Sequence, residues 1–411
     1  MGVDLTTAQG PLTGLKVLDL SIIVAGGTAS SLLADFGAEV VKVERPGSGD
    51  PLRNWGPFAN GVSLWWKVHS RNKKSITLNL GTPKGQDILK RLAAQADVLI
   101  EGFRPGAMER WGLGPDDLQI VNPKLVMLRY SGFGQSGPYK DRPGFGTIAE
   151  CMSGYVSMTG FQDTSPVLPP VPLADEIAGV FGAMAGMMAL YHRDVQSDAS
   201  SNPGAKGQVV DVSLFEPLFR LCIPHITMFD MLGINRERVG NDFPDAAPRS
   251  LYKTSDDRWL GLSATSQSTF EGLAKAMGMP HLIDRPEFKD NAARLENRDA
   301  LNDELQGWLG QRDLKETMDQ LIPAGGVVGP VYDAAQIMAD PHYLAREDII
   351  DIEDPELGKT KMLGVVPKFS ETPGAVEHAG PTVGEHNQKI YGEWLGLDEG
   401  ELAELANQGT V

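Results

Sequence analysis

The sequence contains few of the residues that form crosslinks or metal sites. Among its 411 residues are only two cysteines, Cys151 and Cys222, and seven histidines. Two cysteines are too few for a disulfide framework, and neither residue type has the spacing of metal ligands. We therefore expect no bound metal and a reducing, cytoplasmic environment.

Positive charge is scarce as well. The chain has 37 Lys and Arg residues against 54 Asp and Glu residues, so its formal net charge is −17. An acidic chain of this kind is a poor partner for nucleic acid or for an anionic membrane surface. The N-terminus lacks a cationic segment followed by an apolar one, and we find no apolar run of about 18 residues. The sequence thus predicts neither secretion nor a membrane span.

The charge is unevenly distributed. Residues 42–110 hold twelve Lys and Arg residues but only six Asp and Glu residues. This local excess is typical of a site for an anionic small molecule, and it is equally typical of an ordinary solvated surface. Charge alone leaves both interpretations open.

The sequence is rich in alternating strand and helix patterns. Strands are predicted at residues 15–20, 40–44, 76–80, 97–101 and 125–130, with helices at 29–36 and 82–94. Such units fold as a parallel sheet, and ligands bind beyond the carboxyl ends of its strands. A GxGxxG fingerprint is lacking, which disfavours a nicotinamide dinucleotide as the ligand.

A proline-rich run ends at the segment PLADEIAG, residues 172–179, which opens an apolar helix. Asp175 occupies the expected N-cap position, where backbone N–H groups and the helix dipole stabilise a carboxylate. Ala178, Gly182 and Gly186 follow at intervals of four, so one helix face can pack closely on another element or on a ligand. Asp175 is therefore either an ordinary cap or an ionised nucleophile.

The rest of the pattern divides the chain. We predict a large domain over residues 1–224, a small domain over 225–330, and a return to the large domain over 331–411. The small domain contains a hairpin at 252–262 and amphipathic helices at 268–277, 300–309 and 313–322.

Several large apolar side chains are expected in the core. Three are methionines of the Asp175 helix and three are tryptophans: Met184, Met187, Met188, Trp55, Trp65 and Trp66. An aromatic acyl pocket is the alternative role for the tryptophans.

Several short motifs are similar to those of one known family in their order and spacing. They are LTGLKVLDL (12–20), LADFGAEVVKVERPG (33–47), RNKKS (71–75), FRPG (103–106), SGFGQSGP (131–138) and PLADEIAG (172–179). Together they resemble the class III CoA-transferases, of the formyl-CoA transferase or CaiB/BaiF type, over most of the chain. Each motif is modest alone, but the set is highly specific.

The resemblance implies an α/β fold, with a Rossmann-like large domain built from both ends of the chain and a small α+β domain. It implies a ring-shaped subunit that forms an interlocked dimer, either a homodimer or a heterodimer with a related subunit. It also implies that Asp175 is the catalytic nucleophile. The implied substrates are an acyl-CoA, such as succinyl-CoA, and a carboxylic acid, without a tightly bound cofactor.

The resemblance also implies CoA contacts by position. They are Val24, Ala25, Arg45, the run 78–81 with Leu78 and Gly81 at its ends, Gly102, Phe103 and Arg110. The chain departs from the family pattern where Gly26-Gly27 replaces a common Gly-Pro, Gly102 a common Asn, and Gly81 an occasional Lys. Arg45 and Arg110 suit the phosphates of CoA, or else they pair with surface carboxylates.

Three other functions compete. An α-methylacyl-CoA racemase has a similar Leu-Ala-Asp segment but needs two acid/base groups, and relatives of that type carry His-Asp where this chain has Phe145-Gly146. A non-catalytic CoA-binding subunit of a hetero-oligomer does not need Asp175, and a nicotinamide oxidoreductase is more distant. The residues favour CoA transfer through an aspartyl-CoA thioester, since exchange of one thioester for another needs neither ATP nor a metal.

Overall fold

The computed structural model describes residues 10–197 and 206–411. The strands are β1 (Lys16–Leu20), β2 (Glu39–Glu44), β3 (Phe58–Ala59), β4 (Val62–Ser63), β5 (Lys73–Thr77), β6 (Val98–Glu101), β7 (Val126–Ser131), β8 (Val209–Ser213), β9 (Arg249–Lys253), β10 (Trp259–Ser263), β11 (Val328–Pro330), β12 (Ile349–Asp354) and β13 (Gly358–Leu363). The α-helices are α1 (Ala25–Asp35), α2 (Leu64–His69), α3 (Pro83–Ala93), α4 (Ala107–Arg110), α5 (Pro115–Val121), α6 (Gly146–Met152), α7 (Leu173–Ser197), α8 (Phe215–Leu221), α9 (His225–Leu232), α10 (Gln267–Ala276), α11 (Asn291–Glu296), α12 (Arg298–Leu309), α13 (Leu314–Leu321), α14 (Ala334–Ala339), α15 (Pro341–Ala345), α16 (Asn387–Leu395) and α17 (Glu399–Asn407).

The chain forms two compact units. Unit 1 comprises Met1–Ser153, Pro169–Cys222 and His342–Val411, and unit 2 comprises Gly154–Leu168 and Ile223–Pro341. Unit 1 thus draws on both ends of the chain. The domain limits at residues 224 and 330 stay a prediction.

A six-stranded parallel sheet is the centre of unit 1. Its strand order is β5-β2-β1-β6-β7-β8, and Val17 of β1 pairs with Val40 of β2 and Val98 of β6. Leu18 and Leu99 are fully buried, as expected where helices cover both faces of a parallel sheet. The predicted α/β class with a large parallel sheet is confirmed.

β5 begins earlier than the sequence predicted. It spans Lys73–Thr77 rather than residues 76–80, so the RNKKS motif is partly strand and not a polar link. Lys73 is only 1% exposed, and its Nζ lies 3.3 Å from Asp19 Oδ2. A lysine enters a strand interior when a buried carboxylate balances its charge, and the local pattern does not show that partner.

Unit 2 has its own sheet and core. β11, β10 and β9 pair antiparallel in that order. Phe270 of α10 and Leu305 of α12 are fully buried in the core beside this sheet. The predicted hairpin is β9–β10, and the three predicted amphipathic helices are α10, α12 and α13, so these predictions are confirmed.

α7 packs through its small residues rather than its large ones. Ala178, Gly182 and Gly186 lie against neighbouring elements, whereas Met184 and Met188 are 46% and 61% exposed. The prediction that the methionines lie in the core is therefore wrong. The face of small residues allows closer packing than the methionine face does, so the methionine face of α7 is left exposed.

The expectation that the sequence lacks an apolar run of membrane-spanning length is also wrong. The segment Leu173–Val195 of α7, 23 residues long, is apolar enough to cross a membrane by length and composition. Core helices of globular proteins pass the same test, and Ala178 and Leu190 of this segment are buried inside unit 1. The segment alone is weak evidence for a membrane span.

Candidate active site

Asp175 lies in the first turn of α7. The helix begins at Leu173, and the carbonyl of Pro172 accepts the N–H of Glu176 at 3.0 Å. Pro172 is therefore the N-cap residue, and Asp175 is the third residue of the helix. The predicted N-cap position of Asp175 is wrong by three residues.

The shift has a physical cause in α6. Pro172 has no side chain that can cap a helix. The capping hydrogen bond comes instead from Glu150 of α6, whose Oε1 accepts the N–H of Ala174 at 3.3 Å. A helix whose first amides are satisfied by a distant carboxylate can begin before its first Asp. The local sequence does not reveal such a partner.

Gly146, one turn before Glu150 on α6, lies directly against the Asp175 carboxylate. A Cβ built on Gly146 would overlap Asp175 Oδ2 and lie 3.0 Å from Asp175 Cγ. Any side chain at this position would therefore displace the carboxylate. Phe145, the other residue of the pair that replaces His-Asp of racemase-like relatives, is 68% exposed.

The surroundings of Asp175 make it unusually basic. Burial, followed by the negative charges of Glu150 and Glu176, raises the pKa of Asp175 from the ordinary 3.8 to about 7. Among residues 10–197 and 206–411, no cation forms an ion pair with it. Burial and like charge thus oppose the stabilisation of the ionised form that we expect from the helix start. When ionised, this carboxylate is more basic than an ordinary one.

Glu176 is held in place by a hydrogen-bonded chain. Thr28 Oγ1 donates to Glu176 Oε2 at 2.9 Å and lies 3.0 Å from His69 Nε2. Burial lowers the pKa of His69 to about 3, so the ring is neutral, and its Nε2–H donates to the threonine whose own proton goes to Glu176. The His69 ring lies against Gly27, where a Cβ would overlap it. This contact explains why a glycine suits the place where relatives often have proline.

α1 and α7 approach through another glycine. A Cβ on Gly179 would lie 2.7 Å from the carbonyl oxygen of Ala25 and 2.5 Å from Thr28 Cβ. The close packing predicted for the bare face of α7 is confirmed. It places the start of α1, with the expected CoA contacts Val24 and Ala25, beside the first turns of α7.

Most of the expected CoA contacts lie at one edge of the sheet. Val24 and Ala25 follow β1, Arg45 follows β2, and Leu78 follows β5; Gly102 and Phe103 follow β6. These four strands are adjacent and parallel, so their carboxyl ends share an edge, as a ligand site of this fold requires. Arg110 lies further on, at the end of α4.

The individual side chains differ in what they can offer a ligand. Arg45 and Arg110 are exposed, whereas Leu78 is buried in the core and its N–H already donates to the Glu44 carbonyl at 2.8 Å. Phe103 packs edge-on against Trp111 at 5.1 Å. A Cβ built on Gly102 would lie 3.6 Å from the Ile22 nitrogen, an ordinary contact distance, so the backbone here has room for a Cβ.

The local excess of positive charge is partly cancelled inside unit 1. Six cations of residues 42–110 form ion pairs with carboxylates of the chain, namely Lys42, Arg53, Lys67, Arg71, Lys73 and Lys74. The sequence count therefore overstates the charge that is available to an anionic ligand. Arg104, which the CoA assignment omitted, is exposed after β6 and has no ion pair among the described residues.

A layer of buried charge supports the turn after β1. Asp19 is fully buried and lies 3.4 Å from Lys42 Nζ, which is 3.0 Å from Asp50 Oδ2. Asp50 Oδ1 accepts the N–H of Ile23, whose φ is 67°. A β-branched residue rarely adopts this left-handed conformation, so the charge layer holds a strained turn at the carboxyl end of β1.

The tryptophans differ in burial. Trp66 is 2% exposed, and Arg53 stacks on its ring at 3.6 Å, so its assignment to the core is confirmed. Trp55 is 38% exposed and packs edge-on against Trp65 at 6.1 Å. The core prediction is therefore wrong for Trp55.

Sequence reasoning missed Glu150 and Thr28 as parts of this site. Both reach it from elements distant in sequence, and no motif marks either one. Glu176 was visible beside Asp175, but only its bond to Thr28 shows that it is directed into the site.

The geometry can now be compared with that of known proteins. The family model for CoA-transferase family III matches residues 12–387. The chain is 43% identical over 410 residues to a succinyl-CoA–D-citramalate CoA-transferase of Chloroflexus aurantiacus, covering 98% of both chains. It is 37% identical over 413 residues to the beta subunit of a succinyl-CoA–L-malate CoA-transferase of the same organism, covering 100% of both. A solved CaiB/BaiF family protein from Brucella suis is 30% identical, with a TM-score of 0.81 over 94% of this chain and 100% of that chain. The chain therefore belongs to CoA-transferase family III and is a CoA-transferase.

Proposed function

We propose that this enzyme transfers CoA from succinyl-CoA to a small carboxylic acid through an aspartyl-CoA thioester at Asp175. The observation that carries the proposal is the state of Asp175: a carboxylate in the first turn of α7, without an ion-pair partner in the described parts of the chain, and unusually basic. The names of both Chloroflexus relatives include succinyl-CoA, which supports succinyl-CoA as the donor.

In the first half-reaction Asp175 attacks the donor. A carboxylate oxygen bonds to the thioester carbon and the carbon–sulfur bond breaks, giving a mixed anhydride and CoA thiolate. The thiolate then attacks Asp175 Cγ, and succinate leaves as a carboxylate. The aspartyl-CoA thioester conserves the energy of the original thioester.

The second half-reaction repeats these steps in reverse. The acceptor carboxylate attacks Asp175 Cγ and releases CoA thiolate, and the thiolate attacks the acceptor carbonyl of the new anhydride. Asp175 is regenerated as a carboxylate. Both intermediates hydrolyse readily, so water must be kept from them; the contact of Gly146 with one carboxylate oxygen shields that side.

We propose that CoA lies along the carboxyl edge of β5, β2, β1 and β6. Val24, Ala25 and the backbone of residues 78–81 line the edge, and Gly102 and Phe103 follow the last strand. The exposed cations Arg45, Arg104 and Arg110 suit the phosphate groups. Leu78 and Phe103 contribute through backbone and packing, since their side chains contact the protein itself.

The acceptor in this proposal is a small dicarboxylic acid. Citramalate and malate, the acids in the names of the Chloroflexus relatives, define this class. Trp55 is 38% exposed and is available to contact the acid. A panel of free acids with succinyl-CoA, read by the mass of the new thioester, identifies the acceptor.

The racemase alternative is disfavoured at Phe145-Gly146. Phe145 stands where racemase-like relatives carry His, so one of the two acid/base groups is missing. The Asp that those relatives carry at the next position would overlap the Asp175 carboxylate here. Incubation of an acyl-CoA in D₂O without an acceptor acid tests this point. Uptake of deuterium at the α-carbon would support the racemase.

We also propose that the enzyme is cytoplasmic and works as an interlocked, ring-shaped dimer with a Rossmann-like large domain. The free thiols of Cys151 and Cys222 agree with a reducing compartment. The name of the second Chloroflexus relative includes a subunit designation, so the partner is either a second copy or a related chain. Transfer by the purified chain alone would exclude the non-catalytic subunit alternative.

The direct test of the mechanism is the covalent adduct. Enzyme quenched with succinyl-CoA should carry the mass of CoA on the peptide that contains Asp175, and hydroxylamine should remove it. Asp175→Asn should keep the fold and lose both adduct and transfer. Full activity of Asp175→Asn, or normal exchange without any adduct, would show that the nucleophile is wrong.

A further inference from the structure

Glu150 is a buried acidic residue that the steps above do not require. Its side chain is 3% exposed, and Oε1 accepts the N–H of Ala174 at 3.3 Å. Ala174 directly precedes Asp175, so this bond fixes the turn that carries the nucleophile. The amide is one of the first of α7, which have no partner within the helix.

The same face of α6 makes a second approach to the nucleophile. Gly146 is one helical turn before Glu150, so the two residues share a face. The Cα of Gly146 lies against Asp175 Oδ2. One helix therefore determines both where the Asp175 carboxylate lies and which charge it faces.

Asp175 faces negative charge from two elements, Glu150 of α6 and Glu176 of α7. Four charged side chains of other elements that pack on α7 are engaged elsewhere: Asp35 with Arg71, Arg129 with Glu101, Asp211 with the N–H of Gln135, and Glu216 with Ser213. A fifth, Arg220 of α8, is exposed and is not among the causes of the pKa shift of Asp175. Within the described ranges, no cation offsets the two glutamates at Asp175. A free carboxylate here is therefore destabilised by its neighbours.

We propose that Glu150 is a positioning residue of the transfer reaction, one that holds the Asp175 turn and favours the uncharged, acylated state of Asp175 over its free carboxylate. This rests on Asp175 being the nucleophile proposed above. In the aspartyl-CoA thioester Asp175 is neutral, because the negative charge leaves with the released acid. The repulsion from Glu150 ends at that point. Acylation and protonation both neutralise Asp175. Each pKa unit by which Glu150 raises the pKa of Asp175 therefore favours the acylated enzyme over the free carboxylate by about tenfold.

Two substitutions separate charge from packing. Glu150→Gln keeps an oxygen acceptor for the Ala174 N–H and removes the charge, whereas Glu150→Asp keeps the charge and shortens the reach. Asp398→Asn, which alters the capping carboxylate of α17, is the matched control. Each variant is incubated with a fixed ratio of succinyl-CoA to succinate and no acceptor, and the adduct on the Asp175 peptide is quantified by mass. The acidic limb of kcat/KM is measured in parallel.

For Glu150→Gln we expect the acidic limb to move down by about one pH unit and the ratio of acylated to free enzyme to fall about tenfold. Glu150→Asp and Asp398→Asn should stay near the wild type in both readouts. The proposed role of the charge would be overturned if Glu150→Gln changed neither the acidic limb of kcat/KM nor the ratio of acylated to free enzyme. It would also be overturned if Glu150→Asp lowered that ratio as much as Glu150→Gln does.

The outcomes also separate this proposal from the nucleophile assignment. Absence of any adduct in the wild-type enzyme overturns Asp175 as the nucleophile and this proposal with it, whereas a normal wild-type adduct with an unaffected Glu150→Gln overturns only the role of Glu150. If Glu150→Gln does not fold, Glu150→Met, an uncharged side chain of similar length, takes its place with the same expected shifts, and a wild-type limb near the ordinary carboxylate pKa of about 4 contradicts the proposal.

Discussion

At the scale of single residues, the state of Asp175 predicts an unusual dependence of stability on pH. Its pKa is raised to about 7 in the folded chain, so between about pH 4 and pH 7 the native state binds more protons than the unfolded state, and stability falls as pH rises. Asp175→Asn removes this ionisation. We expect its free energy of unfolding at pH 8 to exceed that of the wild type by about 1–3 kcal/mol.

Denaturant unfolding at pH 8 and at pH 4 checks this prediction. The difference between the two proteins should largely disappear at pH 4, where both side chains are neutral. A variant that is less stable than the wild type at pH 8 would contradict the raised pKa.

Gly146 predicts a second residue-scale effect. Gly146→Ala inserts a methyl group where the Asp175 carboxylate lies, so the nucleophile must move. A displacement of about 1 Å can lower a rate by about a hundredfold, and we expect kcat/KM to fall by at least about tenfold. Gly307→Ala is the control, because a Cβ there meets no atom within 4 Å. Equal activity of Gly146→Ala and wild type would show that the contact is not part of the site.

The sequence could identify Asp175 but not its ionisation state. The residue type and the family motif are local, whereas the pKa depends on Glu150, which is 25 positions earlier and reaches Asp175 only after α6 and α7 pack. The same limit applies to Thr28. The sequence therefore gives the identity of Asp175, whereas its ionisation state depends on the packing of the fold.

At the scale of elements, the packing of α7 on β7 predicts a coupled pair of mutations. A Cβ on Gly182 would overlap the hydroxyl of Tyr130, which is buried with no hydrogen-bond partner among the described residues. Gly182→Ala should destabilise the protein by about 1–3 kcal/mol. Tyr130→Phe should be neutral or stabilising by about 1 kcal/mol, because it removes an unsatisfied polar group.

The double mutant tests whether the two residues are coupled. Tyr130→Phe should recover part of the stability that Gly182→Ala loses, since it removes the hydroxyl but leaves ring carbon Cζ 2.6 Å from the added methyl group. Thermal unfolding of the four proteins gives the coupling energy. Simple additivity would contradict the contact.

Element type was easier to predict than element boundaries. The βα order, the unit 2 hairpin and its helices follow from periodicity, which is local. The starts of α7 and β5 could not be predicted from periodicity. Glu150 caps the start of α7, and Asp19 neutralises Lys73 at the start of β5. Both errors occur where a charged residue far away in sequence satisfies a buried group.

At the scale of the whole molecule, the methionine face of α7 predicts an assembly. Met184, Met187, Met188 and Tyr191 are exposed in the single chain, and exposed apolar patches of this kind mark interaction surfaces. Met188→Glu should weaken the proposed dimer, as measured by light scattering after gel filtration. Ile120→Glu, at an exposed aliphatic position on α5, is the control. A dimer unaffected by Met188→Glu would place the interface elsewhere.

Bulk charge predicted less about the molecule than the motifs did. The excess of positive charge over residues 42–110 pointed to an anion site, yet six of its cations are paired with carboxylates. Arg45 is exposed, whereas Lys42 is buried and paired with Asp50, and only the fold shows this difference. Composition describes how many charges a chain carries, and it does not describe which of them face outward.

The charge layer of Asp19, Lys42, Lys73 and Asp50 has a consequence for which substitutions this chain tolerates. Removing one member leaves a partner charged and unpaired in the interior, at a cost of about 3–5 kcal/mol, so these positions can change only in concert. The same layer holds the left-handed turn at Ile23 through Asp50. A single substitution within it should therefore also disturb the turn that follows β1, where we propose that CoA binds.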